Sequence, residues 1–259
     1  MSEKSGTIER VPGTPLAYRR RARTGAGTGP GVVFLGGFRS DMTGSKAEAL
    51  DTFCATLGIP FLRFDYSGHG ASGGRFEDGC ISDWAADAAH VVAQLTTGPQ
   101  VLIGSSMGGW IALLLARVAT PHALIGIAPA PDFTQALLWP ALDATQRATI
   151  IRDGVLHIPS AYGPPTPITR RLIEDGRHNL VLDTPLPLAC PVRLLQGMAD
   201  PDVPWQHATR LAEHLNSPDL RLTLIKDGDH RLSRPADLSL LTETLAALLA
   251  QDAGQPLAP

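Results

Sequence analysis

Val101-Leu102-Ile103-Gly104-Ser105-Ser106-Met107-Gly108-Gly109-Trp110-Ile111-Ala112-Leu113-Leu114 is the stretch whose reading decides the fold. Val101 to Gly104 has the composition of a buried strand, and Trp110 to Val118 is an apolar run of helix-forming residues. Only GSSMGG separates them, so the chain must pass from strand to helix in one sharp turn. That turn admits only small side chains two residues before and two after its apex, which matches G-x-S-x-G. At the apex, Ser106 would project its hydroxyl from the carboxyl edge of a sheet. It would also stand at a helix N-terminus, where unpaired N–H groups favour developing negative charge. A G-x-S-x-G string alone is a weak signal, and its plain alternative is a structural turn. The strand-turn-helix setting is what makes it a nucleophile candidate.

Working outward, the same alternation of strand and helix recurs. Val32 to Leu35 is an apolar strand ending in Gly36-Gly37, Lys46 to Leu57 an amphipathic helix stopped by Gly58, and Phe61 to Tyr66 a further strand. Ile81 to Leu95 carries Trp84, Ala85, Ala88, Val91, Val92 and Leu95 on one stripe, with Ser82 as its expected N-cap. Leu124 to Ala128 is a buried strand. After it the alternation breaks for about sixty residues rich in proline, with helical stretches at Thr145 to Asp153 and Ile168 to Asp175. An excursion that long is not bare loop. The alternation resumes with strand Val192 to Gln196, helix Val203 to Leu215, strand Leu220 to Ile225 and helix Leu238 to Leu249. The expected architecture is therefore an α/β fold with a mostly parallel central sheet flanked by helices. Residues 1–128 and 192–259 would form the core, and 129–191 a small helical cap. The terminal GQPLAP is expected to be mobile.

Composition narrows the class. The 259 residues are 44% hydrophobic and 18% charged, and 22 Lys and Arg against 25 Asp and Glu give a net charge of −3. A weakly acidic chain offers no footprint for a nucleic acid, and no apolar run approaches the ~20 residues of a membrane span. The arginines of LAYRRRAR (16–23) could form a basic patch, but a charged edge strand in an early antiparallel hairpin explains them better. Cys54, Cys80 and Cys190 are odd in number and lack C-x-x-C spacing, so neither a disulfide framework nor a zinc site is indicated. With no apolar leader at the N-terminus, a cytoplasmic protein is expected. No metal and no cofactor is expected, since HExxH, clustered Cys/His and the lysine of a phosphate loop are all missing.

A serine hydroxyl needs a base, and the base needs an acid to hold its tautomer. His230 lies in the turn Asp227-Gly228-Asp229-His230 after the last strand, again at the carboxyl edge. His207 and His214 fall on one helix as packing or surface residues, and His157 and His178 lie in the cap. His69, in the Gly-rich loop after a strand, reads as a structural neighbour of the site. For the acid, Leu194 to Pro204 contains Asp200, three residues past the turn glycine Gly197, and Asp202 as its rival; Asp202 has proline on either side and suits a helix N-cap. Asp229 would serve only if its turn bent unusually. Two backbone donors should form an oxyanion hole, Met107 N–H after the nucleophile and Phe38 N–H after Gly36-Gly37. Phe133, Leu137, Leu138, Trp139 and Leu142 could shield an acyl chain or simply fix the cap to the sheet.

GSSMGG, GMADPDVP and the GDH turn resemble the α/β-hydrolase superfamily. More narrowly, GGFRSDMTGSKA, RFDYSGHGASGG, GPQVLIGSSMGGW, CPVRLLQGMADPDVPW and DHR look like the mitochondrial acyl-protein (palmitoyl-protein) thioesterases, also known as mycophenolic acid acyl-glucuronide esterases. The similarity spans about Val32 to Leu249. It implies Ser106 as nucleophile, Asp200 as acid and His230 as base, acting on acylated small molecules or S-acylated proteins. A presequence like that family's is not expected in this chain. The rival functions are a small-ester carboxylesterase and a non-catalytic hydrolase-like binding module.

Overall fold

The structure, a computed structural model, describes residues 3–24, 28–160 and 163–251. From the N-terminus, the chain forms β1 (Lys4–Val11), β2 (Thr14–Arg21), β3 (Gly31–Leu35), α1 (Ser45–Leu57), β4 (Phe61–Phe64), α2 (Ile81–Leu95), β5 (Gln100–Ser105), α3 (Met107–Val118) and β6 (Ala123–Ile127). Next come a π-helical turn (Thr134–Leu138), α4 (Trp139–Ala141), α5 (Ala144–Asp153), β7 (Val155–Ser160), β8 (Gly163–Thr169), α6 (Arg170–Gly176) and β9 (Leu186–Pro187). The chain then returns to the sheet through β10 (Val192–Gly197), α7 (Trp205–His214), β11 (Leu215–Asn216), β12 (Leu220–Ile225) and α8 (Pro235–Gln251).

Eight strands make one sheet in the order β1-β2-β4-β3-β5-β6-β10-β12. All pairings from β4 to β12 are parallel, while β2 runs antiparallel to both β1 and β4. The central strands β3, β5 and β6 are apolar over most of their length because both faces are covered. Val33, Leu35 and Leu102 face the cluster built with Trp84 and Trp110. Their neighbours Val32, Phe34, Val101 and Ile103 face Leu50 of α1 and Leu245 of α8. The period-2 pleat thus divides the core into two layers.

Four expectations need correction. Leu16 to Arg21 is an inner strand; the edge is β1, whose alternating polar residues give no apolar signal. Two of the arginines there have acidic partners within the fold. Arg21 pairs with Asp51 at 2.5 Å, and Arg19 lies 3.8 Å from Glu3 beside buried Arg63, which itself binds Glu3 and Glu48. Second, Cys80 rather than Ser82 occupies the α2 N-cap, and the Ser82 hydroxyl donates instead to Asp175. Third, α3 begins at Met107, three residues before the expected start, because Gly108 and Gly109 form its first turn despite their poor helix propensity. Fourth, the 129–191 segment is not purely helical. β7 and β8 form an antiparallel hairpin within it, and α6 starts only at Arg170. The terminal GQPLAP lies outside the described residues.

Candidate active site

The site is assembled where the parallel strands β3, β5, β10 and β12 end. Side chains beyond the carboxyl ends of a parallel sheet converge because the strand directions agree. Ser106, directly after β5, has φ 54° and ψ −118°, a left-handed conformation unusual for a residue with a side chain. It is held there from three sides: its N–H donates to Ile127 O at 2.9 Å, and its carbonyl accepts from Gly109 at 2.9 Å and Ala130 at 3.1 Å.

Gly108 shows why the flanking positions are small. A Cβ there would collide with the Leu35 carbonyl oxygen and come within 2.6 Å of Gly36 O. The glycine therefore allows the β3 loop to rest against the first turn of α3. Gly37 completes the contact: a Cβ there would stand 3.4 Å from Ser105 O and 3.5 Å from the Ser106 Cβ. Gly108→Ala should push the Phe38 loop away from Ser106, lowering kcat at least ~10²-fold, the scale of a lost oxyanion donor. Steady-state kinetics alongside a thermal melt would check this; full activity at an unchanged Tm would contradict it.

Three expected side chains come together. The His230 ring nitrogens lie 2.8 Å (Nδ1) from Asp200 Oδ2 and 3.1 Å (Nε2) from Ser106 Oγ. The Asp200 carboxylate is buried, and its Oδ1 accepts from the N–H groups of Asp202 and Val203, both at 2.8 Å. Burial alone would raise its pKa, but the His230 contact and those two N–H groups outweigh it and hold the carboxyl below the ordinary aspartate value. Gln196 was not foreseen: this fully buried side chain donates to Asp200 Oδ2 at 3.1 Å and to Val203 O at 3.0 Å. Nothing in the sequence marked it beyond a polar residue at the end of an apolar strand. Lys46 of α1 was also missed. Its Nζ donates to Arg231 O, tying the His230 loop to the helix, and burial lowers its pKa to about 8.

The rival acid Asp202 is exposed, although its carboxylate, Asp200 and His230 bring ligand-type atoms within 4.8 Å of one another. A metal held by these three would take one His230 nitrogen and displace the hydrogen bond which that nitrogen makes to Asp200 or to Ser106. His207 is buried, with Nε2 2.8 Å from Pro131 O, as befits a packing residue. His69 also serves packing, its ring within 5.6 Å of those of Tyr66, Phe76 and Trp84. Burial depresses its pKa to about 4, which leaves it neutral. His157 and His178 are exposed and do not line the cavity above Ser106.

That cavity measures about 740 Å³, the size range of small-ligand sites. Ser106 and His230 form its floor, with Phe38, Phe133, Leu137 and Leu138 as apolar walls. Phe38 is braced edge-on by Phe76 and leans on Phe133 at 5.4 Å. The hairpin supplies a wall the sequence did not announce, through Ile158, Pro159, Pro164, Thr166 and Ile168. Trp139 is not among the lining residues; Arg147 and Arg177 cover its ring at 5.4 and 5.7 Å. Leu142 is buried against Ile150, Ile168 and Ile173.

Comparison with known proteins places this geometry among relatives. The model of the alpha/beta hydrolase family matches residues 32–239. The mouse mitochondrial palmitoyl-protein thioesterase ABHD10 is 40% identical over 241 residues, covering 90% of this chain and 78% of that protein. Its human counterpart is 37% identical over 239 residues, covering 90% and 76%. Among solved structures, one from Agrobacterium vitis S4 has 44% identity and a TM-score of 0.90 over 96% of this chain and 98% of that one. The structure of mouse alpha/beta hydrolase domain-containing protein 10 gives 37% identity and 0.86 over 96% and 99%. These relatives correct the expected location. The mouse, rat and cattle thioesterases are all named mitochondrial, so the expectation of a cytoplasmic protein is not kept. Among the described residues, no helix is long and apolar enough to cross a membrane.

Proposed function

Because the chain belongs to the alpha/beta hydrolase family, we propose that it is a serine hydrolase cleaving acyl thioesters of the S-acyl-cysteine type, or activated carboxyl esters such as acyl glucuronides. The observation that carries this reading is the continuous hydrogen-bond path from Asp200 through His230 to Ser106 at the floor of an apolar cavity.

In this reading Ser106 Oγ attacks the acyl carbon while His230 Nε2 takes its proton. The carbonyl oxygen becomes an oxyanion and receives the N–H groups of Met107 and Phe38, the first backed by the N-terminus of α3. As the tetrahedral intermediate collapses, His230 returns the proton to the departing thiol or alcohol, leaving an ester on Ser106. Water, deprotonated by the same imidazole, attacks that ester, and His230 returns the proton to Ser106 Oγ as the acid is released. Asp200 stays ionised throughout, fixing the imidazole tautomer and stabilising its charged form. Residues 129–191 act as a cap, and Phe133, Leu138 and the hairpin shield the acyl chain from water.

A fluorophosphonate probe should label the protein on the peptide containing Ser106. Next, kcat/KM should be compared across thioesters, oxygen esters and acyl glucuronides of increasing chain length. Higher values for thioesters of longer acyl groups support the proposal. Preference for short oxygen esters would favour a small-ester carboxylesterase, and absence of labelling a binding module.

A further inference from the structure

The cavity over Ser106 is apolar within and charged at its rim. Phe133, Leu137 and Leu138 are half-buried, whereas Arg39 and Asp202 are exposed members of the same lining. An acyl chain suits the inner walls, so the leaving group of a bound ester would face the rim. Arg39 comes one residue after Phe38 and has φ 57°, a conformation unfavourable for a side chain of its size. Its guanidinium is nevertheless fixed. Nη1 donates to Pro164 O at 2.9 Å, Pro165 O at 3.1 Å and Thr166 Oγ1 at 3.0 Å, and the Phe76 ring lies 5.7 Å from Cζ.

These contacts use one arm of the fork. Nε and Nη2 have no hydrogen-bond partner among the described residues, and no carboxylate pairs with the group. Arg19, Arg21 and Arg63, by contrast, all have acidic partners. Nε and Nη2 present two parallel N–H groups, the geometry that receives a carboxylate in bidentate fashion. On the reading of Ser106 as nucleophile, we infer that Arg39 forms a carboxylate-binding subsite selecting esters and thioesters whose leaving group carries a carboxylate. Asp202 across the rim would repel that carboxylate and so orient it toward Arg39.

The test uses two isosteric acetate esters, 4-acetoxybenzoate and neutral 4-acetoxybenzamide, with the parent protein, Arg39→Gln and Arg39→Lys. The benzoate-to-benzamide ratio of kcat/KM should fall about tenfold in Arg39→Gln, mainly through KM, and less in Arg39→Lys, which keeps the charge but loses the fork. Equal loss on both esters would overturn the subsite, because a purely structural role through the hairpin does not distinguish them. Should Arg39→Gln not fold, the parent protein decides: raising salt from about 0.05 to about 0.5 M should lower the same ratio by screening. A ratio insensitive to salt would overturn the subsite. Absence of fluorophosphonate labelling at Ser106 would bring down the hydrolase reading; labelling with an unmoved ratio would bring down the subsite alone.

Discussion

Ser106→Ala is expected to lower kcat by about six orders of magnitude, the scale seen when a nucleophile acting as one unit with its base is removed. Among the described residues the hydroxyl has one hydrogen-bond partner, His230, so its loss costs the fold little. The strain at φ 54° is borne by the backbone, which alanine tolerates about as well as serine. The Tm should therefore stay within a few degrees of the parent's. A residual acceleration of ~10³–10⁴ over water would remain if the oxyanion donors and the cavity still bind the acyl group. Thiol release from an acyl thioester, followed to single-turnover limits, measures both quantities. Activity within tenfold of the parent would remove Ser106 from the chemistry.

The second large effect separates two neighbouring acids. Asp200→Asn should lower kcat about 10⁴-fold, while Asp202→Asn should change it by no more than about fivefold. The asymmetry follows from hydrogen bonding. An asparagine at 200 would keep its oxygen toward the N–H groups of Asp202 and Val203, which turns its NH₂ toward His230 Nδ1. The imidazole would then carry its proton on Nε2, facing Ser106 with no capacity to accept another. Gln196 Nε2, which donates to the same carboxylate oxygen, would oppose a second NH₂ and add to the disorder. Asp202, being exposed, contributes only a solvent-screened charge. A comparison of kcat for the two variants decides the assignment, and the reverse ranking would hand the acid role to Asp202.

Much of this arrangement could be read along the chain because its signals are local. The elbow announces itself through glycines that backbone contact requires, as at Gly108 against Leu35 and Gly36. The doubly covered strands are apolar at consecutive positions, which any window detects. Position after a strand points to His230, and the turn after Gly197 favours Asp200 while leaving Asp202 as its rival. The misses share a different cause. Strand β8 contains Pro164, Pro165 and Pro167, which have no N–H to donate and read as loop; a two-stranded hairpin accommodates prolines because alternate N–H positions face away from the single partner strand. Strand β1 is half-exposed and carries charges, so its pattern resembles a polar surface segment.

The sequence by itself therefore determined the alternating α/β architecture and the turn that carries Ser106. These depend on periodicity and on residue size within a few positions. Only the tertiary structure decided that Asp200 rather than Asp202 faces His230, that Gln196 and Lys46 brace the pair, and that Arg39 keeps two unpaired donors at the rim. Those outcomes depend on distances between residues as many as 127 positions apart, such as Arg39 and Thr166. Hydrogen bonding and burial fix such distances only once the sheet has brought its strand ends together.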